Sequence, residues 1–426
     1  MMKDAYGLGV TTASSSALDA YRRGVDAALG WQATALDGFR EAIAHDPGLA
    51  LAHAGAAACL FLEERFTEAR EESGVARAAA ARATDRERSY VVAVGLWTEV
   101  RVPEAERAMR AHVATYPRDL AIVQRLYFVF FWQGKFPEML EATTALRSHH
   151  ADSSYLMGMH AFALEEAGRC AEAIRLAEAA LAINEQDAWA VHALANALYE
   201  AGDFDAGVAV LPGAIEPCRG LGWFRNHLLW HLALMHLSRG EYERVSGLSR
   251  ELFEQAPSSI PGDLHDSISL LWRLELAGRP VGERWRPFAA IARERLDRTG
   301  FLFHTAHLTM ALVGAGDWTT VERQLGLLRE RAPKDRTGLM GEVLVPLVEG
   351  LSAFGGGDYL TTIAKIEPLR PRIVQLGGSR AQRDVFHDTL LEACFRTGDV
   401  DRAERLLTER IARRPDHFWL NRPPAH

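Results

Sequence analysis

Eight glycines recur along the chain in one local setting, and that recurrence limits the fold more than any other feature. Each is followed by a charged residue and then by an aromatic or other apolar one: Gly134, Gly168, Gly202, Gly240, Gly278, Gly316, Gly357 and Gly398. The intervals between them are 34, 34, 38, 38, 38, 41 and 41 residues. Glycine suits the end of a helix because the closing residue there adopts a positive φ at little cost. The flanks read as helices. Before Gly202, the apolar residues Trp189, Val191, Leu194 and Leu198 recur near the 3.6-residue period, and the stretch after it resumes the same period. A connection this short turns the second helix back against the first.

Thirty-four residues is the tetratricopeptide period, and the longer intervals add about a helical turn. The expected fold is all-α: a tetratricopeptide-like right-handed α-solenoid (superhelix) of about eleven antiparallel helix pairs. Three of these pairs, near residues 16–45, 49–82 and 85–116, precede the first glycine of the series. Asp46-Pro47 marks one junction between pairs, since proline suits a helix start. Residues 1–15 form a lead segment, expected to be extended and either docked on the first repeat or free. Residues 16–416 form a single repeat domain, with flex points at 257–261 and 334–338. Residues 417–426 form a tail that Pro423-Pro424 keeps from being a long helix. No strand pattern is expected.

At 426 residues the chain is too long for one ordinary core, which a solenoid does not need. A net charge of −8 gives no support to a nucleic-acid groove. Only Lys3, Lys135, Lys334 and Lys365 are lysines among 48 basic residues, so a lysine clamp for acidic tails is not expected. Cys59, Cys170, Cys218 and Cys394 are far apart and read as reduced thiols. The opening residues hold no apolar signal core. The longest apolar run, 126–132, is far short of the ~20 residues that span a bilayer. The expectation is a cytoplasmic protein with no membrane segment, no nucleic-acid partner and no cofactor.

Several stretches resemble the tetratricopeptide repeat protein 38 family. They are SSYLMGMHAFALEEAG (153–168), DAWAVHALANALYEAGD (187–203), NHLLWHLALMHLSRGEY (226–242), SLLWRLELAG with the later RW (269–278, 284–285), FLFHTAHLTMALVGAGD (301–317) and GGSRAQRDVFHDTLLEA (377–393). The opening DAYGLGVTTASSSAL is similar too. The resemblance implies a tetratricopeptide superhelix and names no activity. Where the family segment WAVHAVAH ends in histidine, this chain has Asn196.

The first helix of each pair is expected to line the concave side. Counted back from the turn glycines, His192 and Trp230 lie 10 residues before, His227 and His265 lie 13 before, and His231 and His307 lie 9 before. Asn196 is one turn from His192. These positions fall on or near one inward edge. Asp266 and Arg273 are two turns apart on one helix, so Arg273 can clamp an anion while Asp266 orients a histidine. His227 and His231 have the i, i+4 spacing of a metal pair, a weak signal alone. Trp230 and Trp272 are packing residues or pocket walls. His304 is a further polar candidate. The loop GGSRAQRD places Arg383 and Asp384 at a helix start, which reads as an anion site or as a cap with a buried ion network. No nucleophile motif is present. Acid–base chemistry, if any, would fall to His192, His231 or Asp266.

The leading functional reading is a non-catalytic scaffold. Its concave face would hold a protein, a peptide or a mixed apolar–anionic small molecule through His192, Asn196, His227, Trp230, His231, Asp266, Trp272, Arg273, His304, His307, Arg383 and Asp384. The alternative is an enzyme or small-molecule sensor with a His/Asp/Arg site, metal-assisted or not, inside the superhelix. Histidines near their ordinary pKa would make binding pH-sensitive between roughly pH 5.5 and 7.5.

Overall fold

A computed structural model describes residues 2–218, 220–251, 258, 260–298 and 301–414. The expected tail at 417–426 and residues 257 and 259 of the 257–261 flex point lie outside the described residues. The described chain is all-α apart from one small hairpin, and it runs as antiparallel helix pairs of tetratricopeptide type. In order, the pairs are α1 (Ser15–Leu29) with α2 (Ala35–His45), α3 (Ala50–Leu62) with α4 (Phe66–Ala79), and α5 (Asp85–Thr98) with α6 (Val102–Thr115). Next come α7 (Leu120–Phe131) with α8 (Phe136–Leu146), α9 (Ser154–Glu166) with α10 (Cys170–Ile183), and α11 (Ala188–Ala201) with α12 (Phe204–Ile215). Then follow α13 (Trp223–Ser238) with α14 (Tyr242–Ser249), α15 (Pro261–Leu276) with α16 (Arg286–Glu294), and α17 (Leu302–Gly314) with α18 (Trp318–Arg331). The last pairs are α19 (Val345–Gly355) with α20 (Tyr359–Ile366) and α21 (Arg380–Thr397) with α22 (Val400–Arg413).

Every pair closes in the same way. All eight glycines of the series have φ between 65° and 80°. The three earlier turns place Trp31, Glu64 and Val100 in that left-handed region instead, at φ 59°, 59° and 60°. The residue after the left-handed one donates its N–H back to a carbonyl in the last helical turn: Arg169 to Leu164 at 2.9 Å, Glu241 to His236 at 2.9 Å, Arg101 to Leu96 at 3.0 Å. This is the Schellman closure. It needs the left-handed backbone whether or not the residue is glycine.

The helices of a pair divide the labour. Second helices bury a narrow stripe of small residues, Ala69, Ser73 and Ala76 in α4 and Ala173, Ala177 and Ala180 in α10, and keep a charged face in water. First helices are buried nearly all round: residues 303–313 of α17 and residues 158–166 of α9 are all buried. The polar residues of these first helices lie inside rather than on an exposed face.

The chain forms two compact units. Unit 1 takes in residues 1–130, 136–194 and 214–222; unit 2 takes in 131–135, 195–213 and 223–426. In unit 1 the lead segment folds as a hairpin, β1 (Met2–Lys3) against β2 (Gly9–Val10), with Met2 opposite Val10. Two-residue strands carry no period, which is why the sequence shows no strand signal. Buried Arg86 ties the hairpin down, donating to Asp119 (2.7 Å), Asp4 (3.0 Å) and the Gly9 carbonyl (3.1 Å). Trp31 stacks on Trp189 at 5.4 Å, so its place in a turn also serves packing. In unit 2, α15 packs on α13, α17 and α21. Trp272 Nε1 donates to Thr389 Oγ1 at 2.9 Å across the α15–α21 contact. No helix of the described residues is long and apolar enough to cross a membrane.

Candidate ligand site

All twelve sequence-nominated binding residues are buried. His192 belongs to unit 1, where its ring packs against Trp189 (4.5 Å) and Phe162 (5.1 Å). The other eleven belong to unit 2 and fall into three groups.

The first group spans α13 and α15. His227 and His231, one turn apart, have ring centroids 4.9 Å apart in an edge-on arrangement. His227 Nδ1 lies 2.8 Å from Asp266 Oδ2, a carboxylate with no exposure at all. Such a contact orients an imidazole and turns its Nε2 away from the carboxylate, the usual arrangement of a metal-ligating or proton-transferring histidine. Burial raises the Asp266 carboxyl above its ordinary range, against the pull of His227 and Arg273. His231 Nε2 accepts from Asn196 Nδ2 at 3.3 Å. Trp230 Nε1 donates to Ser269 Oγ at 3.2 Å, which fixes the indole. Arg273 sits 5.7 Å from that ring and donates to the carbonyls of Ala381 (2.7 Å) and Ser269 (3.4 Å).

The second group surrounds the start of α21. Gly377 and Gly378 both have positive φ. A Cβ on Gly377 would meet Trp132 at 2.9 Å, and one on Gly378 would meet Phe303 at 2.8 Å. The paired glycines thus serve a close approach. Ser379 and Gln382 form a reciprocal capping box. Arg383 donates to the Gly378 carbonyl. Asp384 accepts from Arg413 (2.6 Å) and Arg414 (2.7 Å) and lies 3.5 Å from Arg410. Burial pulls its pKa upward, yet the three guanidiniums hold it well below the carboxylate range. Arg414 also reaches Glu200 at 2.5 Å and covers the Tyr199 ring at 3.8 Å. Sequence reading missed Glu200, Tyr199 and the arginines of the α22 end, because only the fold brings them to Asp384.

The third group joins α15 and α17. His304 Nδ1 lies 2.9 Å from His265 Nε2, and its Nε2 lies 3.2 Å from Arg295 Nη1. His307 Nδ1 lies 2.9 Å from the Phe303 carbonyl. Trp272 packs against Trp285 (6.3 Å) and Phe354 (5.7 Å). Burial, the largest cause, pushes His304 down to about 3 and His307 down to about 4, with His265 well below its ordinary value. The expected pH sensitivity between 5.5 and 7.5 therefore does not come from these three rings.

A family model described as tetratricopeptide repeat matches residues 164–215, from the end of α9 through α10, α11 and α12. Among solved structures, the chain is similar to one in the structure of Naa15/Naa10 bound to HypK-THB, with 13% identity and a TM-score of 0.25. That match covers 95% of this chain and 64% of the other, so this chain spans less than two thirds of its length. It is also similar to the P58(IPK) TPR domain, with 13% identity and a TM-score of 0.23, covering 92% of this chain and 89% of that one.

Proposed function

We propose that the protein is a recognition scaffold whose unit 2 holds a mixed apolar–anionic ligand between α13, α15 and the start of α21. Tetratricopeptide-type repeats fit an interaction role, and the fold alone licenses no chemistry. The observation that carries the reading is Arg273. It is buried, yet no carboxylate among the described residues lies within ion-pair distance, and only two backbone carbonyls and the Trp230 face receive it. Burial lowers its pKa from the ordinary value, against the upward pull of Tyr199, Asp388 and Asp384, so the surrounding carboxylates only partly offset the loss of water around this cation. A guanidinium offers five donors in a planar fork, and a carboxylate takes two at once. The Trp230 indole supplies the apolar wall beside it.

The test uses 3-phenylpropionate and its uncharged amide, titrated into the full chain by calorimetry. The carboxylate should bind at least tenfold more tightly. An Arg273→Met variant with an unchanged melting temperature should lose that preference, and Arg273→Lys should keep part of it. Equal binding of acid and amide, or a preference that survives in Arg273→Met, removes Arg273 from the site.

A second reading, an acid–base enzyme, draws support from the His227–Asp266 contact alone. Under it, a ligand carried through purification is turned over, and His227→Gln abolishes turnover while leaving affinity within about threefold. Unchanged turnover in that variant rules this reading out.

A further inference from the structure

The buried histidines of α15 and α17 have protonation sites that the structure fixes. A guanidinium can only donate. The contact from Arg295 Nη1 at 3.2 Å therefore makes His304 Nε2 an acceptor and places the His304 proton on Nδ1. That N–H donates to His265 Nε2 at 2.9 Å, so His265 carries its own proton on Nδ1. A carbonyl can only accept, so the 2.9 Å contact with Phe303 places the His307 proton on Nδ1 and leaves a lone pair on Nε2. Burial keeps all three rings neutral at pH 7, so the assignment holds there.

Two neighbouring rings, with centroids 5.1 Å apart, thus carry opposite polarity: a donor at His265 Nδ1 and an acceptor at His307 Nε2. Both residues are at least nine-tenths buried. Among the described residues no hydrogen bond takes up either atom. The surroundings are flat and apolar. Phe303 lies 5.1 Å from His265 and 4.5 Å from His307, Phe386 lies 5.4 Å from His307, and Trp132 lies 6.3 Å from His265. An occupant that offers an acceptor to His265 and a donor to His307 on a flat frame would match both the polarity and the aromatic surroundings.

We propose that His265 and His307 form a recognition pair for the edge of a planar lactam or amide, with His265 donating to its carbonyl and His307 accepting from its N–H. Arg295 and His304 are positioning residues that hold the His265 proton on the outward nitrogen. The proposal rests on unit 2 being a ligand-holding module and adds a second, uncharged anchor to it.

The test begins with ring 15N–1H correlations of the histidine-labelled full chain at pH 7, where His265, His304 and His307 should all show Nδ1–H. The chain is then titrated with 2-pyridone, which carries adjacent N–H and C=O groups, and with N-methyl-2-pyridone, which has lost the donor. The first should saturate at least tenfold more tightly and shift the His265 Nδ1 and His307 Nε2 resonances. His307→Leu should erase the preference and His265→Leu should weaken both pyridones. His307→Gln and His265→Asn, which keep an amide near the same positions, should restore part of the binding and guard against a folding artefact. Equal binding of the two pyridones, or an Nε2–H tautomer at His265 or His307, overturns the pair. So does an absence of saturable 2-pyridone binding with the tautomers as stated, which would mean that water alone fills the site. The pyridones carry no charge and report on the histidines whatever Arg273 does, while 3-phenylpropionate reports on Arg273 whatever the histidines do.

Discussion

Three residues hold a backbone conformation that their side chains oppose. Trp31, Glu64 and Val100 take the left-handed place that glycine takes in the eight later turns. Val100 is the sharpest case, a β-branched residue at φ 60° that is 54% exposed and so gains little from packing. Val100→Gly should raise stability by about 0.5–1 kcal/mol, since relief of the left-handed cost of roughly 1–2 kcal/mol outweighs the extra freedom of the unfolded glycine. Gly168→Ala is the mirror experiment. A Cβ there meets nothing within 4 Å, so the expected loss of about 1–2 kcal/mol is backbone strain alone. Urea titrations of both variants check the pair, and a Val100→Gly chain less stable than wild type refutes the strain argument. The same residues show where the sequence was readable. Glycine advertises a left-handed turn; tryptophan, glutamate and valine conceal one, so the first three pairs are placed by their helical pattern and the Asp46-Pro47 junction and not by their turns.

At the scale of elements, the end of α22 fastens the interior of unit 2. Arg414, with no exposure, joins Glu200 on α11 to Asp384 on α21. Removing one partner of a buried ion network costs about 3–5 kcal/mol, because charges are left without compensation. Arg414→Met should therefore lower the unfolding free energy by that order, with faster amide exchange in 195–201 and 380–390. Exchange unchanged from wild type there would show that the contact does not fasten these helices. The pH consequence has a definite sign. Asp384 is held below its unfolded value of about 3.9, so its stabilisation is present above that pH and is lost as pH falls through the folded pKa. Asp384→Asn should accordingly be less stable at neutral pH and lose less on acidification below about pH 4. Of the two sequence readings of this loop, the cap with a buried ion network named the kind of contact found here but not its partners. Asp384 was visible as a charge at a helix start, but its partners Arg410, Arg413 and Arg414 lie at the far end of the paired helix and just beyond it, and sequence spacing does not single them out.

At the scale of the molecule, the histidines nominated for the site are interior groups. Sequence reading identified which helices carry them. It could not tell an open concave face from a buried one, because both produce first helices that are apolar with polar interruptions. Burial reverses the pH expectation. With folded values of about 3 for His304 and about 4 for His307 and His387, against about 6.5 unfolded, the unfolded chain binds more protons across that interval. Stability should hold level from pH 8 to 7 and decline steadily below about 6.5. Calorimetric melting temperatures at pH 7.5, 6 and 5 test this, and a constant value across them would contradict the burial. The Glu200–Arg414 contact also sets a clock. Its partners are 214 residues apart, and a ribosome adding about 5–20 residues per second needs roughly 10–40 s to travel from one to the other. Throughout that time a carboxylate destined for the interior has no cation to meet it, so unit 2 is closed by nearly the last residues of its described chain to be made. A nascent chain arrested anywhere between the two should leave that interior exposed to proteases and chaperones.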